Sequence, residues 1–560
     1  MQQLRYLFTY QIGYMYVRYF MWNFSGRQNN MPSTGEIDHG NFITGIPPLD
    51  SFMLGAADTL PPDLGSDNRG YNRFFMLPLL FGLLGALGIR HFGQNGRRAT
   101  TLVLSLFLMT GLAIVFYLNQ NPSEARERDY AFLGSFYAFS IWIGFGAAII
   151  INFALYLAAT HMVVARKWLR RSVKIASLAV CLGLPALVLS QTYDDHNRSG
   201  RDSAAEVAVN MLNSLEPDAI LIVEGDNRFF PLIYAQEVLG VRRDVTVMVQ
   251  SYLPTTWYPA QFLRQGEVAR PVEMTAREGD ILFDAFSYVK IGYGYDTVPA
   301  VDALKALYKF EESGATPVLS TKNIWIRTGN DSIALDLNAV NDSKVNLMNA
   351  QLAVIDILAT NGVSANPRPI YWQNDLSPTF YKHLESYTVP ALYARKWVGR
   401  VSEGELAAAD LQAYRTFMEL FGSGQHQNNY YSEPYVSANL SFLRKDAVNL
   451  AMRLMDNGEY AKAKEVIVTA MRVWPYSLIP PDRMRADGVR VEELDVISGA
   501  LESLSRALPE DLEVKTLLSE VRTLSADRRE AYRKYYYSLP RWRRNAVSYQ
   551  TRSAAAVDSI

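Results

Sequence analysis

The chain has 560 residues, with 55 basic and 56 acidic side chains and a formal net charge of −1, so it lacks the strongly basic balance of a nucleic-acid binder. A hydrophobic fraction of 49% excludes a disordered chain, and the length predicts three or four folding units at about 100–200 residues each. The single cysteine, Cys181, excludes an internal disulfide framework and any cysteine-rich metal site. A mean hydropathy of −0.04 conceals an uneven distribution along the chain.

The first 24 residues, MQQLRYLFTYQIGYMYVRYFMWNF, mix aromatics with Arg5 and Arg18. That mixture suits the headgroup interface better than the hydrocarbon centre, although a poor transmembrane span leaning on neighbours reads the same way. Residues 1–73 form an outer or interfacial segment. It includes a polar stretch with Arg27, Gln28, Asn29, Asn30, Glu36, Asp38 and His39, either the lining of a cavity or a plain loop.

Residues 74–190 carry four apolar runs, predicted as spans over about 74–92, 99–118, 130–160 and 173–190. A helix needs about 20 mostly apolar residues to cross a bilayer core of about 30 Å. The second and third runs meet that test, and the first and fourth are short for it. Buried helices of a soluble core rarely run so far without a polar face.

Arg90, Arg97 and Arg98 lie between the first two runs, and Arg166, Lys167, Arg170 and Arg171 lie between the last two. The positive-inside rule puts both basic loops in the cytoplasm. Residues 1–73, the loop 119–129 and everything after Gln191 then share the opposite side. In a bacterial inner membrane that side is the periplasm. An exported N-terminal segment with no span before it needs a route across, so the chain reads most simply as the C-terminal part of a longer membrane protein.

Residues 191–435 are predicted to form an α/β domain on that side. Ala204–Leu215 has the pattern of an amphipathic helix, and Ala219–Val223 and Val245–Val249 are short buried strands. The helix Phe230–Leu239 between those strands makes a βαβ crossover. Further strands are expected at Pro317–Leu319, Asn323–Arg327 and Ile370–Tyr371, while 265–300 and 375–435 carry no assignable pattern. Residues 436–537 read as helical. Leu450, Ala451 and Leu454, then Gly458, Tyr460, Ala463, Ile467, Ala470 and Pro475, match one tetratricopeptide-like (TPR-like) repeat, and a generic helical hairpin fits equally well. Residues 538–560 are a tail. The predicted fold is thus an α-helical membrane region of about four transmembrane helices, an outer α/β domain and a helical TPR-like C-terminal region.

Two polar clusters are candidates for chemistry. The loop NQNPSEARERDY places Glu124, Arg126, Glu127, Arg128 and Asp129 where two spans meet the membrane surface. Arginine presents a planar fork of donors that binds phosphate oxygens bidentately, so Arg126 and Arg128 can grip a lipid-linked phosphate, with Glu124 and Asp129 in support. The alternative is that these charges simply anchor helix ends. The second cluster is Asp194, Asp195 and His196 after the fourth run, to which Asp226 at the carboxyl end of a strand is added. Two carboxylates and an imidazole can hold a divalent cation or move a proton. Turn and cap roles explain the same residues, Asp226 included. No glycine-rich phosphate loop, nucleophile elbow or zinc-ligand spacing occurs, so no complete catalytic set is legible.

The segments FMWNFSGRQNN, NPSEARERDYAFLGSFYAFSIWIG, YDDHNRSGRDSA and ILIVEGDNRFFPLIYAQEVLGVRRDV together resemble a family of large bacterial membrane proteins similar to protein O-mannosyltransferases, in the GT-C glycosyltransferase superfamily. The likeness covers residues 1–270 well and the rest loosely. Members often carry Asp-Thr after the GDN, where this chain has Arg228-Phe229, which puts a carboxylate role at that turn in doubt. The resemblance implies transfer of a sugar from a polyprenyl-phosphate donor to a protein or glycan acceptor. It also implies a general base in an earlier external loop, absent from this chain, and a donor-phosphate role for Arg126 and Arg128. The rival expectation is a non-enzymatic, membrane-anchored module that binds a partner through its helical repeat.

Overall fold

The computed structural model describes residues 2–541 apart from 34, 61, 63, 66, 122–126, 162–166, 256, 265, 267–268, 278–287, 310–316, 330, 342–343, 375, 377–378, 424–433, 478 and 480–491. Most of the described chain is helical, with sheets confined largely to its later part.

Among the described residues, three helices are long and apolar enough to cross a membrane: Gly93–Leu118, Asp129–Thr160 and Arg170–His196. Leucine, isoleucine and phenylalanine on all sides of these helices leave no polar face to turn toward water, which is the mark of a lipid-facing segment. The first predicted run forms a shorter apolar helix, Leu77–His91, which covers about 22 Å at 1.5 Å per residue. It is shorter than expected because Phe75 and Met76 adopt left-handed backbone angles (φ 55° and 57°) and delay its start, while Gly93 at φ 68° divides it from the next helix.

Glycines let this short helix approach the Asp129–Thr160 helix very closely. A Cβ added at Gly85 would lie 1.8 Å from the Trp142 carbonyl oxygen, and one at Gly146 would lie 2.0 Å from the Phe81 oxygen. Gly82 faces the Phe139 ring and Gly88 faces Ile149 in the same register. Small residues that bring backbones together are the usual means of helix pairing where the hydrophobic effect is absent.

The aromatic N-terminal segment is helical throughout, as Gln2–Tyr6, a π-helical stretch Leu7–Val17, and Arg18–Phe24. Met15, Tyr16, Tyr19, Trp22 and Phe24 pack against Val115, Phe132, Phe136, Phe139 and Trp142 of the membrane helices. Tyr16 Oη and Ser135 Oγ share a 2.7 Å hydrogen bond, and the Gln11 side chain donates to Asn119 Oδ1 and the Gln120 carbonyl. Leu4, Phe8 and Val17 remain exposed on the other face. The segment therefore lies along the same end of the bundle that carries the loop after Leu118.

Beyond the last membrane helix, a five-stranded sheet runs in the order Thr388–Pro390, Ala394–Trp397, Ile370–Gln373, Ile220–Val223, Thr246–Val249. The last three are parallel, with Ile220 opposite both Ile370 and Thr246. The strands ILIV and TVMV are buried at every position, as parallel strands covered on both faces must be. Helix Asp226–Glu237 makes the crossover between them. Two three-stranded sheets, built on Tyr288–Gly294 and Asn323–Thr328, complete the domain.

Helix Asn349–Val363 runs through the middle of this domain and is buried from Asn349 to Thr360. Asp356 on it accepts hydrogen bonds from the backbone nitrogens of Thr275 (2.7 Å) and Ala276 (3.0 Å) and from Tyr308 Oη (3.2 Å). Burial nevertheless pushes its carboxyl above the usual carboxylate range.

The C-terminal region consists of helices Glu403–Phe421, Pro434–Asp456, Tyr460–Val473, Glu492–Ala507 and Leu512–Ser538. Gly458, at φ 78°, turns Pro434–Asp456 into Tyr460–Val473, and Leu450, Ala451, Leu454, Ala463, Ile467 and Ala470 fill the seam of that hairpin. Arg444 and Glu493 form a fully buried ion pair, with Arg444 Nη1 also donating to the carbonyls of Trp474 and Ile479. The last helix returns to the N-terminal segment. Tyr535 Oη donates to the Leu54 carbonyl at 2.6 Å, and Tyr535 and Leu539 pack on Leu60 and Leu64. The tail beyond residue 541 lies outside the described residues.

Candidate functional site

The polar groups at this end of the bundle are organised around an arginine in the aromatic helix. Arg18 is 2% exposed, with its guanidinium carbon 4.0 Å from the Tyr14 ring centroid, 4.8 Å from Tyr19 and 4.7 Å from Trp22. A buried charge of this kind needs a partner. Arg18 forks onto Glu127, with Nη2–Oε2 at 2.6 Å and Nη1–Oε1 at 3.1 Å, and also donates to the Gly40 carbonyl at 2.9 Å. Glu127 further accepts from Tyr19 Oη and from the Ser33 nitrogen. The Arg128 nitrogen donates to Tyr19 Oη at 3.2 Å. One carboxylate thus ties together the N-terminal helix, the polar loop after it and the charged loop before the Asp129–Thr160 helix.

The polar loop is itself fixed from within. Asn29 is fully buried, donating to the carbonyls of Asp38 and Leu64 and accepting from the Gly40 and Met31 nitrogens. Trp22 Nε1 also donates to the Gly40 carbonyl. Gly40 needs its positive φ of 52°, and a side chain there would meet the Met31 carbonyl oxygen at 2.6 Å. Asp38 and His39 pair at 2.8 Å, and among the described residues the buried His39 Nε2 has no hydrogen-bond partner.

Arg27 is the second cation of the site. Its guanidinium lies over Trp22 at 3.9 Å, and its buried Nε has no hydrogen-bond partner among the described residues. Burial pushes this guanidinium below the ordinary arginine range, against the fields of Asp129, Glu127 and Asp195. It stays protonated all the same. Among the described residues no side chain hydrogen-bonds it, so its planar fork of donors is available to an anion.

Of the residues singled out in the sequence, Arg128 and Asp129 lie in this assembly, and Asp195 reaches it from the end of the last membrane helix. Asp195 accepts from Asn72 Nδ2 at 3.0 Å and from His196 Nδ1, and its carbonyl accepts from Arg201 Nη2 at 2.7 Å. Glu124 and Arg126 lie outside the described residues. Asp194, Asp195, His196 and Asp226 do not form the metal cluster considered from the sequence. Asp194 accepts from the Asp195 nitrogen, His196 is largely exposed and also bonds the Thr192 carbonyl, and Asp226 starts a helix where Tyr252 Oη reaches it at 3.4 Å. These are helix-end roles. Among the described residues no group of three or more His, Cys, Asp or Glu side chains is placed to hold a metal ion.

Arg18, Arg27 and Glu127 carry the geometry; the sequence placed Arg27 in a polar stretch and Glu127 in the charged loop but gave neither a role, and only a charge inside an aromatic helix hinted at Arg18. The Arg18–Glu127 pair spans 109 positions, so no local pattern announces it.

Fold and site together define a membrane-associated protein, whose apolar helices lead into a sheet-containing domain and helical hairpins, with a buried polar assembly where they meet. Residues 204–325 match the family described as TMEM260-associated domain 2, a stretch that includes the parallel strands Ile220–Val223 and Thr246–Val249. No curated protein and no solved structure matches the chain.

Proposed function

We propose that the protein acts in glycosyl transfer of the GT-C type, moving a sugar from a polyprenyl-phosphate donor to a protein or glycan at the periplasmic face of a bacterial inner membrane. The observation that carries this reading is Arg27, a half-buried cation over Trp22 that no described side chain hydrogen-bonds, set where the membrane helices end. In the proposed reaction the bond between the sugar's anomeric carbon and the donor phosphate oxygen breaks, and negative charge builds up on the phosphate. Arg27, together with Arg128 and Arg126 of the charged loop, stabilises that charge, and Asp129 and Glu124 orient the arginines. Arg18 is already committed to Glu127 and serves as the scaffold beneath them. The general base is assigned to no residue of this chain. Both the TMEM260-associated domain 2 match and the apolar helices fit this reading.

The experiment is glycosyl transfer from radiolabelled polyprenyl-phosphate sugars by the reconstituted protein, comparing wild type with Arg27→Gln and Arg128→Gln. Loss of one charge-stabilising donor is expected to lower kcat by roughly 100-fold or more while the melting profile is retained. Unchanged kcat in both variants removes the phosphate role. A second reading, a non-enzymatic binding module, draws on the hairpin Pro434–Asp456/Tyr460–Val473 and its neighbour Glu492–Ala507/Leu512–Ser538. It expects both arginine variants to be harmless and disruption of the hairpins to abolish function.

A further inference from the structure

A cavity of about 660 Å³ lies away from the bundle end, in the α/β domain. It opens at the carboxyl end of the parallel strand Thr246–Val249, where Gln250 follows the strand directly. Open α/β sheets bind ligands at this edge, and the volume falls within the range of small-molecule sites.

The lining is rich in carboxamides. Asn341 and Gln351 are buried and bonded to each other, Gln351 Nε2 donating to Asn341 Oδ1 at 3.0 Å. Asn341 Nδ2 also donates to the Asn346 carbonyl at 2.7 Å, which fixes the segment that carries Asn346. The other two amides are uncommitted. Among the described residues, buried Asn346 Oδ1 has no hydrogen-bond partner and nothing hydrogen-bonds the half-buried Gln250 side chain. A buried acceptor left unmade is costly, so its retention beside a cavity points to a donor brought by a ligand. Pro254, Val345 and Met348, all exposed, supply the apolar part of the wall.

This chemistry selects a class of ligand. A carboxamide both donates and accepts, as does a hydroxyl group. Apolar side chains beside such amides suit the C–H face of a pyranose ring. Among the described residues the only charged one in the lining is the exposed Lys344, so an anion would find little to neutralise it. We infer that this cavity binds a neutral saccharide unit through Gln250 and Asn346, a site separate from the arginine assembly and independent of the donor-phosphate reading.

The test uses the full chain in lipid nanodiscs and saturation-transfer NMR with three neutral probes: methyl α-mannopyranoside, cellobiose and maltose. A serine- and threonine-rich peptide and glucuronate serve as comparison ligands. At least one neutral sugar is expected to bind at millimolar concentration or tighter. Gln250→Leu and Asn346→Leu are each expected to weaken it at least about tenfold, while Arg27→Gln leaves it unchanged. Gln250 is half-buried and keeps the test decisive if the Asn346 variant does not fold. The inference is overturned by the absence of saccharide binding, by binding that both leucine variants retain, by a preference for the peptide or glucuronate, or by loss of binding in Arg27→Gln.

Discussion

Replacing Glu127 with alanine strips the buried Arg18 of its carboxylate and leaves the Tyr19 hydroxyl and the Ser33 nitrogen without their acceptor. Breaking a buried ion pair by removing one partner costs about 3–5 kcal/mol, because the remaining charge stays in a low-dielectric site. The three rings around Arg18 offset only part of this, since a cation–π contact is worth about 0.5–2 kcal/mol and already exists in the wild type. The loss falls on one region rather than the whole molecule, so hydrogen exchange is the suitable assay. Amides of residues 18–24 and of the turn Asp129–Phe132 should lose roughly 100- to 3,000-fold of their protection, while those of Glu403–Phe421 keep theirs. A double variant, Arg18→Met with Glu127→Leu, removes the unpaired charge and should recover part of the loss, while the Tyr19 hydroxyl and Ser33 nitrogen still lack the Glu127 acceptor. If Glu127→Ala costs under about 1 kcal/mol, or if the double variant is no better than the single one, the ion pair does not organise the site.

Gly85→Leu forces a side chain onto the Trp142 backbone, where even a Cβ would be 1.8 Å from the carbonyl oxygen. It should separate the Leu77–His91 helix from its neighbour and appear as aggregation in size-exclusion chromatography. Gly144→Leu, with nothing within 4 Å of its added Cβ, should remain monodisperse; equal behaviour of the two would refute the close helix contact. Asp356 has a folded pKa raised by burial, so its favourable contribution is present below the unfolded value of about 3.9 and is lost as pH rises through the folded one. The stability of wild type relative to Asp356→Asn should therefore increase as pH falls through the raised folded value toward the unfolded one. The buried Trp372 provides a fluorescence signal for this domain, and a difference that is constant, or that shrinks toward low pH, would reverse the assignment.

The parts of the fold that were legible in the sequence are those encoded locally. Runs such as ATTLVLSLFLMTGLAIVFYL mark helices through their own hydropathy, and ILIV and TVMV mark strands because burial on both faces leaves no alternation to confuse. The shortening of the first apolar helix was not legible, since left-handed angles at Phe75 and Met76, neither of them glycine, leave no trace in composition. The strands Thr388–Pro390 and Ala394–Trp397 gave no pattern because they have three and four residues and take their register from each other and from Ile370–Gln373, whereas the helix Glu403–Phe421 that follows them was simply missed. The same holds at the site. The charged loop with Arg128 and Asp129 stood out, whereas Arg18 and Arg27 acquire their meaning from Glu127 and Trp22 only once the chain is folded.

The central claim is that the arginine assembly holds a lipid-linked phosphate, and lipid binding tests it without requiring the acceptor. In nanodiscs examined by native mass spectrometry, the wild-type protein should retain a polyprenyl phosphate at least about tenfold better than the corresponding polyprenol, a preference of about 1.4 kcal/mol. Arg27→Gln should abolish that preference while still binding both lipids weakly through its apolar helices. Equal retention of phosphate and alcohol by the wild type, or an undiminished preference in Arg27→Gln, would contradict the account.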